Sequence, residues 1–172
     1  MIDFILKITF IFLWASAFVA AKLGLDDAGP FSMLAVRFAI VSFIFASIVF
    51  IFRTKWPKWN EIPYIALVGI LLHGLYLGGV FFSIKQGTSA GISSLIVSLH
   101  PVLTCILAIF LIGEKITLDR WAGIFLGFIG VILVVWPRIG GELPLIGFLS
   151  CFVALIAISF ATIIQKRFLE NM

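Results

Sequence analysis

The chain has 172 residues, of which 63% are apolar and 12% charged. Soluble domains run at about 45–50% apolar and about 25% charged, so this composition excludes an ordinary water-soluble fold. The net charge of +4 does not point to nucleic acid, because the basic residues are scattered between apolar runs with no contiguous basic face and no nucleic-acid motif.

The apolar runs repeat at membrane-spanning length, about 20 residues for a helix crossing hydrocarbon. Six spans are predicted: Phe4–Ala21, Phe31–Phe52, Ile62–Ile84, Ala90–Ile112, Leu118–Trp136 and Leu143–Ile164. The expected fold is an all-α, polytopic membrane helix bundle of about six transmembrane helices, with the lipid bilayer as its solvent. Short linkers make neighbouring helices antiparallel. Trp56, Trp59, Trp121 and Trp136 mark membrane interfaces at span ends. Pro30, Pro57, Pro63, Pro137 and Pro144 fall at span borders, whereas Pro101 lies inside a span.

In the first span Lys7 precedes an apolar run, and Ala15-Ser16-Ala17 has the form of a signal-peptidase site. The run continues to Ala21 without a polar region, which favours a retained helix. Trp14 and Phe18 share a face at i, i+4, either as packing residues or as an aromatic wall of a substrate cavity. The second span has a small-residue stripe, Ser32, Ala35, Ala39, Ser42 and Ala46, suited to close helix approach. Arg37 lies off that stripe, roughly 9 Å along the helix from Phe31. Two readings stay open: a cation that snorkels or pairs structurally, or one that faces a cavity and meets an anionic substrate group.

The third span carries Gly69, Gly74, Gly78 and Gly79, with a GxxxG at Gly74 and Gly78. Gly69, His73, Tyr76 and Val80 form a second stripe, whose polar members hydrogen-bond either a ligand or a neighbouring helix. In the fourth span, at about 100° per residue, Ser93, Val97, His100 and Thr104 share one stripe. Ser94, Ser98, Pro101 and Cys105 form the next. Leu95, Ile96, Leu99, Val102, Leu103, Ile106 and Phe110 fill the opposite arc, expected to face lipid. Pro101 frees the carbonyl near residue 97 and kinks the helix. His100 is bonded internally or faces the cavity. Glu114 pairs with Lys115 or Arg120 at the following cytoplasmic end.

Gly123, Gly127 and Gly130 give the fifth span a packing face, and the sixth ends in the basic anchor Gln165-Lys166-Arg167. Cys105 and Cys151 sit in apolar runs without CxxC spacing, so free buried thiols are expected rather than a disulfide or metal site. Lys7, Arg53, Lys55, Lys58, Lys115, Arg120, Lys166 and Arg167 gather on the N-terminal side of the membrane, against Lys22, Lys85 and Arg138 on the other. The positive-inside rule then places both termini in the cytoplasm of a multi-pass protein of the cell (inner or plasma) membrane.

Several of these stretches resemble the EamA family of the drug/metabolite transporter superfamily. They are Leu13-Trp14-Ala15-Ser16-Ala17-Phe18, Arg37-Phe38, the run from Ile84 to Gly91, Pro101, the run from Leu111 to Thr117, and the Gly123/Gly127/Gly130 span. The resemblance implies ten spans built as two five-span repeats of opposite orientation. Residues 1–142 then form the first repeat, and residues 143–172 form the first helix of an incomplete second one. Phe160-Ala161-Thr162 echoes Trp14-Ala15-Ser16. The chain would be half of an inverted-repeat transporter fold, holding half a site, as a fragment, a truncated reading frame, or a half completed by a homodimer or a complementary second half.

The function so implied is transport of a small polar metabolite, an amino acid or similar, by alternating access. The cavity lining is expected from Trp14, Arg37, His73, Tyr76, Ser94, Ser98, His100 and Thr104. No Asp or Glu lies in mid-span, so proton coupling would fall to His73, His100 or the missing half. Facilitated diffusion and exchange remain open. The alternatives are a non-transporting scaffold or inert remnant and, further off, an intramembrane enzyme. Ser93 and His100 lie about 10 Å apart along the helix, too far for a nucleophile and its base. Two histidines make no complete metal site, and no cofactor is expected.

Overall fold

In hydrocarbon every backbone N–H and C=O must find a partner within the chain, so each long apolar run winds into a helix. The computed structural model describes residues 2–54, 56–113, 117–136 and 144–169. The helices are α1 (Ile2–Asp27), α2 (Pro30–Phe52), α3 (Ile62–Lys85), α4 (Ala90–Ile112), α5 (Leu118–Val135) and α6 (Leu145–Leu169), and no strand occurs among the described residues. All but α5 are long and apolar enough to span a membrane; α5 offers a shorter apolar stretch, Trp121–Gly130. The protein is therefore an all-α, multi-pass membrane bundle. The expected partners Glu114 and Lys115, together with Lys55, Pro137, Arg138 and the repeat boundary at 142/143, lie outside the described residues, as does the side chain of Arg120.

Local chemistry sets the helix ends. Pro30 opens α2 after the extended Gly29, where its missing N–H costs nothing. The Ile92 N–H donates to Ser89 Oγ at 3.3 Å and caps α4. The α3–α4 turn passes through Gly87 at φ 95°, and α4 stops at Gly113 at φ 73°; both are left-handed positions that favour glycine. At one end of the bundle Lys85 Nζ donates to the Leu25 carbonyl at 2.6 Å. At the other, Arg167 donates to the Leu111 carbonyl at 3.3 Å, and Phe168 stacks on Tyr64 with centroids 4.2 Å apart.

Two spanning helices are irregular in mid-membrane. In α3, residues Ile70–Leu77 wind as a π-helix between Gly69 and Gly78. In α4, the stretch Ala90–Val97 gives way at Ser98 and Leu99 to a second piece, His100–Ile112. There the Leu99 N–H reaches back to the Ile96 carbonyl at 3.1 Å, a tightened turn. Pro101 sits in the first turn of the second piece, where a proline fits best. The expected kink at Pro101 is thus a break just before it.

The core lies around α6. Half of its most apolar window is buried, against 6–28% in the other spanning helices. Small residues let it approach α3: a Cβ on Gly79 would lie 3.0 Å from the Ser150 carbonyl oxygen and 3.1 Å from the Ala154 Cβ. Ser150 Oγ donates to the Gly79 carbonyl at 2.8 Å, and Cys151 Sγ donates to Ser83 Oγ at 3.0 Å. Both cysteines are free thiols.

This packing corrects two expectations. Ile96 and Leu99, assigned to the lipid side of α4, are buried with Ile92 against Cys151 and Leu155, and Val102 and Leu103 pack on the same cluster. The reason is that α6 occupies that side, and its apolar face looks to α4 as lipid would. Close helix approach was expected at Gly74, Gly78 and the α5 glycines. Gly78 and Gly127 do meet a neighbouring helix, at ordinary contact distance (3.7 Å to Phe31 and to Val102), but the tight approaches to another backbone are at Gly79 and Gly147, while Gly123 and Gly130 have no neighbouring atom within 4 Å of an added Cβ.

Candidate functional site

The i, i+4 spacing that puts Trp14 and Phe18 on one face of α1 turns both toward α3 and α4, where they form a wall between two clefts. The first cleft, of about 240 Å³, lies between α1, α2 and α3. Arg37, His73 and Tyr76 are its polar lining, set among Trp14, Ala17, Phe18 and further apolar residues. Tyr76 is 6% exposed. The ring of His73 meets Phe38 edge-on, with centroids 5.2 Å apart. Both His73 and Tyr76 belong to the π-wound segment of α3, a kind of local winding often found at functional sites. Arg37 makes no hydrogen bond and no ion pair among the described residues.

The second cleft, of about 310 Å³, lies between α1 and α4 and is lined by Ser94, Ser98 and His100 opposite Trp14, Ala15 and Phe18. Ser94 Oγ donates to the Gly91 carbonyl at 2.9 Å, and Ser98 Oγ donates to the Leu95 carbonyl at 2.6 Å. With their protons committed to the helix, the two hydroxyls present lone pairs, so toward a ligand they act as acceptors. His100 is half-buried at the start of the second piece of α4, and its carbonyl lies 3.5 Å from Ser159 Oγ. Ser98, at the break, and His100, just after it, line the cleft, whereas Thr104, one turn beyond His100 in the same regular piece, lines neither cleft. The Oγ1 of Thr104 is buried without a hydrogen-bond partner among the described residues.

Sequence reasoning did not single out Ala17 or Leu72 in the first cleft, although Ala17 stands one turn from Trp14. It also missed a buried polar set beside α6: Ser83, Thr88 and Ser159, with Cys151. Hydroxyls scattered through apolar spans carry no periodic signal that would mark them. Ser93 Oγ is buried and makes no hydrogen bond, so no base reaches it among the described residues. No group of three His, Cys, Asp or Glu side chains converges among the described residues.

The profile of the EamA-like transporter family matches residues 2–136. An uncharacterized transporter of Archaeoglobus fulgidus is 32% identical over 133 residues, which cover 77% of this chain and 46% of that protein. A probable amino-acid metabolite efflux pump of Escherichia coli is 26% identical over 170 residues, 98% of this chain and 55% of the pump. An uncharacterized inner membrane transporter of Escherichia coli is 27% identical over 123 residues, 71% of this chain and 40% of that protein. The chain thus spans about half the length of the curated relatives it matches. No solved structure gives a significant match.

Proposed function

Since the chain belongs to the EamA-like transporter family, we propose that it takes part in moving a small polar metabolite across the cell membrane by alternating access. One observation carries this reading: the two irregular helices, π-wound α3 and broken α4, meet the aromatic wall of α1 at paired, largely apolar clefts that carry a few polar side chains. Non-helical backbone at membrane depth is tolerated where it is buried in protein or lines a cavity. Here the irregular segments are the ones that supply His73, Tyr76, Ser98 and His100. The first cleft falls below the roughly 300–1,000 Å³ of drug-sized sites, which favours a ligand of amino-acid dimensions. The relative named as an amino-acid metabolite efflux pump brings amino acids into the same candidate set.

In this reading residues 1–142 are one five-helix repeat, and residues 143–172 supply the first helix of the next. Both clefts are partly open. A second bundle of opposite orientation, from a complementary half or from another copy of this chain, would close them. Rocking of the two bundles would then expose the site to each side of the membrane in turn.

The test is counterflow of a labelled amino-acid panel into liposomes holding the purified chain, alone and with the second half of a ten-span relative. Flux above protein-free liposomes is expected. His100→Ala and Tyr76→Phe should each lower it about tenfold at unchanged protein level, the value of one lost hydrogen bond to a ligand. A folded chain that moves nothing in either setting would be a scaffold.

A further inference from the structure

Arg37 is a cation without a counter-charge among the described residues. It stands about 10 Å along α2 from Pro30, at 1.5 Å per residue. A charge at that depth is costly unless it pairs or faces a polar cavity. Its side chain lines the first cleft beside His73 and Tyr76, and among the described residues it has no carboxylate partner and donates no hydrogen bond. Asp26 and Asp27, which close α1, are not in that lining. The remaining walls are apolar or aromatic, so nothing else in the cleft offsets the guanidinium.

We infer that Arg37 is the docking point for a carboxylate, so that the ligand is an organic acid or a zwitterion and a cation of equal size is refused. The guanidinium fork matches a carboxylate through two parallel N–H···O bonds, which a lysine ammonium does not reproduce. The Tyr76 hydroxyl and the His73 ring are polar groups beside it, suited to hydrogen-bond a hydroxyl or amine elsewhere on a small acid. The inference rests on the first cleft being the ligand site of the transport reading.

The test uses the full chain in nanodiscs for binding and in liposomes for flux, with three probes of matched size: lactate as anion, alanine as zwitterion and isopropanolamine as cation. Saturation-transfer NMR reads binding, and counterflow reads transport. Lactate and alanine are expected to bind, and isopropanolamine is not. Arg37→Gln should weaken both carboxylates about tenfold or more, and Arg37→Lys should restore binding only in part. Unchanged lactate binding by R37Q would overturn the inference and assign Arg37 to lipid headgroups. So would equal binding of isopropanolamine and lactate, or a folded wild type that binds none of the three. Arginine-dependent binding without flux supports the carboxylate site and removes the transport reading; carboxylate flux indifferent to R37Q does the reverse. If R37Q does not fold, the order of the three probes on the wild type decides.

Discussion

Lys85 is a residue whose role depends on a partner sixty positions away. It ends α3, and its Nζ donates to the Leu25 carbonyl at 2.6 Å. The last carbonyls of α1 have no intrahelical donors and carry the negative end of its dipole. A cation there satisfies an orphan acceptor and ties α3 to α1. Lys85→Met is therefore expected to cost about 1–2 kcal/mol of stability, and Lys85→Arg to retain most of it. Reversible unfolding in mixed detergent micelles measures both; equal midpoints for K85M and wild type would show that the contact contributes nothing. The sequence marks Lys85 as a charge at a span end and says nothing of Leu25. Helical phase is legible where a helix is regular, as with Trp14 and Phe18. It fails across the break in α4, which separates Ser93 and Val97 from His100 and Thr104 on the stripe the four share on paper.

Between helices, the decisive quantity is how closely two backbones approach, and the glycines show how little of that is written locally. Nothing in the spacing of Gly74, Gly78 and Gly79 says which one meets another helix. In the fold Gly79 makes the tightest approach, because Ser150 and Ala154 of α6 lie directly over it, whereas Gly78 meets only the Phe31 ring at 3.7 Å. Gly79→Val would force α3 from α6 and break the 2.8 Å bond from Ser150 Oγ, at a cost of about 2–3 kcal/mol. Gly123→Ala meets no atom within 4 Å, and should change stability by no more than about 0.5 kcal/mol. Thermal unfolding of the two variants under one condition checks the contrast, and a G123A variant as damaged as G79V would show that α5 packs more tightly than the bundle indicates. The apolar arc of α4 teaches the same point. Ile96 and Leu99 are as suited to acyl chains as to Cys151 and Leu155, so a single helix cannot say whether lipid or α6 covers it.

For the whole molecule, five of the six expected spans were legible because hydrocarbon thickness fixes span length, and α5 falls short of it. The central place of α6 was not, because it depends on contacts between distant segments. Alternation now has structural anchors. The Arg167–Leu111 bond and the Tyr64–Phe168 stack set the end of α6, the end of α4 and the start of α3 at one face. The Lys85–Leu25 bond sets the ends of α3 and α1 at the other. Among the described residues, Lys7, Arg53, Lys58, Lys166 and Arg167 belong to the first face, and Lys22 and Lys85 to the second. That bias should hold the first face in the cytoplasm, since basic residues flanking spans resist translocation. A green fluorescent protein joined after Leu169 should fluoresce, and alkaline phosphatase at the same place should be inactive. Phosphatase joined after Gly29, in the α1–α2 turn, should be active. The opposite pattern would invert the bundle and exchange the sides to which the Arg37 cleft opens, while a mixture of the two would mark a chain that inserts both ways, as a half paired with its own inverted copy requires.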